Sequence, residues 1–175
     1  MSRRFCETWG FPKHWHNFRL SADRHRLLKT WIAAILWLIV IAIESTNLAS
    51  SHNTSRILYP LLHFLLGMDY AHFEHWHFFI RKGGHVFGYG LLCILLFRAW
   101  RETLPIMMGA KWTLRWAILA VLGTALVASL DEWHQSFLPS RTGTPWDVLL
   151  DTCAGIAVQI LLAIYYSWRR RSSQS

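Results

Sequence analysis

Lys82, His85 and Tyr89 fall at i, i+3 and i+7, which places an ammonium, an imidazole and a phenol on one helical stripe. Asp131, Glu132 and Gln135 form a second polar group, with Arg141 shortly after it. Asp147, Asp151 and Gly155 form a third stripe at i, i+4 and i+8. Imidazole titrates near neutral pH, so His85 is the candidate for general acid or base work. Lys82 and Arg141 suit an anionic group, Asp131 and Glu132 suit orienting the imidazole or binding a cation, and Asp147 and Asp151 complete a cavity. Gln135 and Tyr89 add neutral ligand-binding groups. The acids outnumber Lys82 and Arg141, leaving room for a divalent metal or a shared proton. No Ser or Cys adjoins His85 in sequence as an obvious nucleophile.

These groups are embedded in apolar sequence. Leu27–Ile43, Gly83–Phe97, Trp116–Leu130 and Val148–Trp168 are long hydrophobic runs, and a membrane helix needs about 17–25 residues. The two shorter runs reach span length if their flanks stay helical. Four such runs leave no amphipathic partners to cover them in water. The expected architecture is therefore all-α and polytopic, with four transmembrane helices. Between the first and second, Asn53-Thr54-Ser55 reads as a helix start, Ile57–Leu66 is too short to cross, and Gly67 stops it. Asp69–Ile80 carries aromatics at helical spacing with His72, His75 and His77 among them, so an interfacial or re-entrant helical segment is expected there.

Composition fits this reading: 53% hydrophobic, 16% charged, and three cysteines with Cys93 and Cys153 inside apolar runs. Disorder and a disulfide scaffold are thereby excluded. The net charge of +8 and the 11 tryptophans would also suit nucleic-acid binding, but position decides against it. Fourteen of the 18 basic residues fall in the N-terminal segment, the loop between spans two and three, and the tail, which predicts cytoplasmic termini. Trp31, Trp100, Trp112, Trp116, Trp133, Trp146 and Trp168 lie near span ends, as interfacial aromatics do; Trp37 is mid-span. The chain divides into a basic cytoplasmic segment (1–28), a transmembrane domain (29–168) and a basic cytoplasmic tail (169–175). The polar stripes of spans two, three and four then share one depth on the outer side.

Ionisable groups in a span are costly and are functional candidates by default. Each also has a plainer role. Thr144-Pro145-Trp146-Asp147 resembles a helix start, with Thr as N-cap, Pro at N1 and an acid at N3. Arg81 and Lys82 suit snorkelling to headgroups, and Tyr89 suits packing. Asp151 lies about a turn deep, where a carboxylate costs up to about 2.5–3.5 kcal/mol unless paired or protonated. Gly84 and Gly88 are expected to let another helix approach span two, and Gly155 to do the same on span four.

The run Arg81–Leu92 (RKGGHVFGYGLL) resembles the Lys-x2-His-x3-Tyr-x2-Leu signature of VanZ-like membrane proteins. Ser129–Arg141 (SLDEWHQSFLPSR) resembles a second signature, Asp-Glu-x2-Gln-x-Phe-x-Pro-x-Arg. Asp147-x3-Asp151-x3-Gly155 is similar to a third, with Asp151 where that family usually carries Asn. His52–Leu62 (HNTSRILYPLL) is similar to a shorter pattern in some members. The resemblance covers residues 30–168 and implies a bacterial inner membrane and a link to the cell envelope. The family's namesake is associated with low-level resistance to the glycopeptide teicoplanin, by an unknown mechanism.

Three roles are open to the polar constellation. It acts on a lipid headgroup or lipid-linked phosphate, with His85, Asp131 and Glu132 in the chemistry and Lys82, Tyr89, Gln135, Arg141, Asp147 and Asp151 binding. Alternatively, it is a non-catalytic ligand-binding or transport site; four spans without a repeat make a poor transporter alone, and a homodimer could serve. In the third role, Lys82–Asp131 and Arg141–Asp147 are ion pairs that brace the helices. The partner expected in the first two cases is a membrane lipid or a lipid-linked cell-envelope intermediate. The topology itself is testable. In a background lacking Cys6, Cys93 and Cys153, Ser140→Cys is expected to react with a membrane-impermeant maleimide added to spheroplasts; labelling only after permeabilisation would invert the orientation.

Overall fold

The computed structural model describes residues 13–46, 50–104, 111–139, 141 and 143–172. Arg3 and Arg4 of the basic N-terminal segment and Ser140 lie outside the described residues. Five helices are described: α1 (Lys13–Glu44), α2 (Ser51–Leu66), α3 (Tyr70–Thr103), α4 (Leu114–Gln135) and α5 (Pro145–Arg171). Four of them are long and apolar enough to cross a membrane, all but α2.

The starts of α2, α3 and α5 each have a local reason. The Ser50 hydroxyl accepts from the Asn53 N–H at 3.4 Å, so α2 begins at Ser51, two residues before the Asn-Thr-Ser triplet expected to start it. Ser50 is the better cap because its backbone is extended, whereas Thr54 is already helical and bonds back to the Ser50 carbonyl at 2.9 Å. Gly67 ends α2 with φ 63°, the left-handed conformation that favours glycine. Asp69 then caps α3, its carboxylate accepting from the His72 N–H at 2.8 Å; that bond holds the Asp69 carboxyl below the usual carboxylate range. Thr144 caps α5 through the Asp147 N–H, with Pro145 at the first turn, as the Thr-Pro-Trp-Asp sequence predicts.

The expected separate segment at Asp69–Ile80 is corrected. It runs without a break into the second span as one 34-residue helix, about 51 Å long against a hydrocarbon core of about 30 Å. No proline interrupts it, and Phe73 and His77 keep the helical spacing through to the span, both buried. α2 folds back along this extension. Tyr59 packs edge-on against Phe73 and Tyr70 at 5.3 and 5.2 Å, and the Thr54 hydroxyl meets the His77 ring at 2.9 Å. The other side of α2 presents Ile57, Phe64 and Leu65 outward.

α3 is the hub. It packs against α1, α4 and α5, and α4 also packs against α5. The apolar window of α3 is 44% buried against 11% for that of α1, whose Leu28, Ile32, Ile35, Leu36, Ile39 and Ile43 face outward. Helices in lipid gain little from apolar burial, so close packing of small residues matters more. Ala34, Ala120 and Ala128 are fully buried. Gly155 fits against Cys93 and Thr124, as its sequence context predicts. Gly84 and Gly88 do not: a Cβ at either would meet nothing within 4 Å. The close glycine contacts on α3 and α4 are instead Gly90 against Val158 and Gly123 against Leu96. Mid-span Trp37 donates its indole N–H to the Gly88 carbonyl at 2.8 Å, tying α1 to α3.

The spacing at Gly155 sets an expected outcome. A Cβ there would lie 3.4 Å from Cys93 Sγ and from Thr124 Cγ2, ordinary contact. Gly155→Ala should leave thermal stability in detergent nearly unchanged, whereas Gly155→Leu should cost about 1–3 kcal/mol by forcing α5 away from α3 and α4.

Candidate functional site

The polar residues singled out on α3, α4 and α5 converge at one end of the bundle, where α1 and α4 stop and α5 begins. The stripe on α3 meets a carboxylate at each step. Lys82 donates to Asp147, His85 Nδ1 lies 3.3 Å from Asp151 Oδ2, and Tyr89 donates its hydroxyl to Asp131 at 2.7 Å. These pairings correct the expected bracing set. Lys82 sits with Asp147, one turn above the His85–Asp151 pair, and Asp131 takes the phenol lower on α3. The two α5 acids are four residues apart and the α3 bases three apart, so both pairs form on one helix–helix face.

Glu132 is held differently. Its Oε2 accepts the Thr144 backbone N–H at 2.9 Å, which puts a carboxylate on the N-terminal turn of α5, where the helix dipole favours it. Gly143 makes this approach possible, because a Cβ there would collide with the Glu132 carbonyl. Arg141 does not reach Asp147. It donates to the backbone carbonyls of Glu44 at 2.5 Å and Thr46 at 3.1 Å, and its other terminal nitrogen lies 3.5 Å from Gln135 Oε1. The guanidinium therefore closes the C-terminal end of α1, satisfying a carbonyl that no further helical turn covers. Burial pulls Arg141 below its ordinary pKa, and a guanidinium stays charged at neutral pH regardless.

Two adjoining cavities open on these groups. One, of about 190 Å³, is bounded by Ser45, Arg81, Gly84, His85, Asp131 and Arg141, among others. The other, of about 300 Å³, is bounded by Phe78, Arg81, Lys82, His85, Arg141 and Asp147, among others. Arg81, His85, Gln135 and Arg141 border both. Gly84 and Gly88 line the first, so they open space for a cavity where a close helix contact was expected. Arg81 has no carboxylate partner among the described residues.

Of the residues expected to bear on His85, Asp151 touches it and Asp131 does not. Asp151 is fully buried, and its Oδ1 has no hydrogen-bond partner. Glu132 is 5% exposed, and its Oε1 is likewise unpartnered. Ligand atoms from His85, Glu132 and Asp151 lie within 4.8 Å of one another, a grouping that includes Asp151 in place of Asp131. Two participants escape sequence reasoning. Arg81 reads as a snorkelling neighbour of Lys82; its place on the α3 stripe beside Gly84 and His85 was the available signal. The Thr144 N–H is backbone and carries none. Gln159, one of the few polar groups in the last span, is buried and donates to Cys93 Sγ at 3.3 Å, away from this site.

A bundle of four long apolar helices, with histidine, carboxylates and guanidinium gathered at one end, defines a multi-pass α-helical membrane protein with an internal polar site. The chain matches the family described as VanZ/LLP1 over residues 30–166 and belongs to it. No curated protein and no solved structure matches the chain. The matched region contains all five helices in whole or part and every residue of the polar site.

The pairings predict a pattern of energetic coupling. Double-mutant cycles read by thermal unfolding in detergent should give about 0.5–3 kcal/mol between Lys82 and Asp147 and between Tyr89 and Asp131. The pair Lys82 and Asp131 should be additive within about 0.5 kcal/mol. Strong coupling between Lys82 and Asp131 would restore the exchanged pairing.

Proposed function

We propose that this membrane protein binds the phosphate of a lipid headgroup or lipid-linked cell-envelope intermediate at the outer face of the bacterial inner membrane, and that His85 transfers a proton to or from it. The observation that carries this reading is the His85–Asp151 pair, whose imidazole borders two cavities that Arg81 and Arg141 also line. A guanidinium suits phosphate because its N–H groups match paired phosphate oxygens. Arg81 is the better anchor, since Arg141 already spends its terminal nitrogens on α1 and Gln135. Lys82 supplies charge nearby while paired with Asp147.

Asp151 orients the imidazole and stabilises its protonated form, the division of labour expected of a buried acid beside a catalytic histidine. Tyr89 and Asp131 form the cavity's lower wall. The distribution of basic residues supports placing this end outside, with both termini in the cytoplasm. Glycopeptide tolerance is the physiological consequence that the family's namesake suggests: a site that alters an outer-leaflet envelope lipid changes what a glycopeptide meets.

Two measurements test the reading. In native mass spectrometry, Arg81→Ala should reduce retention of polyprenyl phosphate and phosphatidylglycerol about tenfold, with phosphatidylcholine retention unchanged. Equal loss of all three lipids would deny phosphate recognition. In a host where expression alters headgroup composition or teicoplanin tolerance, His85→Ala should abolish that effect while insertion and thermal stability persist. Full effect in His85→Gln would exclude proton transfer by this side chain, and loss of stability alone would return the pair to a bracing role.

A further inference from the structure

We propose that His85, Glu132 and Asp151 form a binding site for one divalent transition-metal ion, of the Zn2+ or Mn2+ class. The three side chains come from α3, α4 and α5 and offer one imidazole nitrogen and two carboxylate oxygens within 4.8 Å of one another. The 3.3 Å separation of His85 Nδ1 and Asp151 Oδ2 matches the roughly 3.3–3.4 Å between neighbouring ligands of a tetrahedral ion with bonds of about 2.0–2.1 Å.

Two independent features point to a cation here. First, the second oxygens of both acids are buried and unsatisfied: Asp151 Oδ1 on a fully buried residue, Glu132 Oε1 on one 5% exposed. Buried carboxylate oxygens without donors are costly; an ion bound through Glu132 Oε1 satisfies one of them, and bidentate ligation by Asp151 satisfies the other. Second, the His85 imidazole is the one basic side chain among the described residues that pairs with either acid. Lys82 pairs with Asp147, Arg141 caps α1, and no Lys or Arg among the described residues pairs with Glu132 or Asp151. An imidazole with two carboxylates is a mixed nitrogen–oxygen set, which suits zinc or manganese better than calcium, a cation that takes 6–8 oxygens. Of the three residues, His85 borders both cavities, which gives an ion held there a route to an exogenous fourth ligand.

Metal ligation would take the His85 Nδ1 and the Asp151 carboxylate that the lipid-phosphate reading uses for proton transfer, so the site stands apart from that reading and its test reads metal content alone. Full-length protein purified in detergent, loaded with Zn2+ and dialysed, should retain about one equivalent by elemental mass spectrometry. The near-isosteric variants Glu132→Gln and Asp151→Asn should each lower Zn2+ affinity at least tenfold, and the surface double variant His72→Ala/His75→Ala should retain wild-type binding. On wild-type protein, Zn2+ should also protect His85 from diethylpyrocarbonate, mapped by peptide mass spectrometry, a readout that needs no variant to fold. Absence of a retained equivalent, unchanged affinity in both carboxamide variants, or modification of His85 at the same rate with and without Zn2+ would each overturn the site. Loss of binding in the His72/His75 variant would assign the metal to that surface pair.

Discussion

An apolar bundle has to find a partner for every carboxylate it encloses, and most of the geometry at the polar end follows from that constraint. Asp147, Asp151 and Asp131 each take a side-chain partner from α3, and Glu132 takes a backbone N–H from the start of α5. Each bond crosses between helices, so the carboxylates fix α4 and α5 against α3 in rotation as well as in distance. A shift of α5 by one residue would break both of its acid–base contacts at once. Removing one member of a buried pair typically costs about 3–5 kcal/mol because the survivor is left uncompensated. The arrangement therefore specifies register more than it adds stability.

The rest of the bundle is assembled by different physics. Below the polar site, contact is made by alanines and glycines that admit close approach and by tryptophans that find acceptors at helix ends. Trp116 donates to the Leu104 carbonyl at 2.7 Å, covering the terminus of α3, and Trp31 donates to Thr103 at 2.9 Å while packing edge-on against Trp100. These indoles close the end of the bundle opposite the acids. The molecule thus has an aromatic, tightly closed end and a polar, cavity-bearing one. α3 connects the two, with Tyr89 at the boundary, its ring in the apolar core and its hydroxyl on Asp131.

The four spans were legible because long apolar runs have few alternatives, and the site residues were legible because ionisable groups in such runs are rare. Spacing along one helix identified the stripes Lys82–His85–Tyr89 and Asp147–Asp151, but nothing in sequence fixes how two helices slide past each other. The actual offset pairs Lys82 with Asp147, and so gives His85 to Asp151. Arg141 departs from its expected pairing with Asp147 for a related reason: its partners are main-chain carbonyls of Glu44 and Thr46, which have no residue-type signature. Asp69–Ile80 joins the second span rather than forming the interfacial or re-entrant segment expected there, because the paired glycines at 83 and 84 lower helix propensity without forbidding it and the helix is otherwise uninterrupted.

Those glycines also indicate where the bundle yields stability to its site. A glycine inside a helix costs about 1 kcal/mol relative to alanine in water, and a close helix contact is the usual compensation in a membrane. Gly90 has that compensation in Val158; Gly84 and Gly88 have open space instead and line the cavity beside His85. A methyl group at either position would clash with nothing, yet it would project into the volume between Arg81, His85 and Asp131. The Gly88 carbonyl adds a second demand, since Trp37 of α1 must reach it. Packing alone gives no reason for glycine at 84 and 88, whereas a cavity that has to stay open next to an ionisable pair does. The same side of α3 that engages the acids therefore keeps room for a ligand.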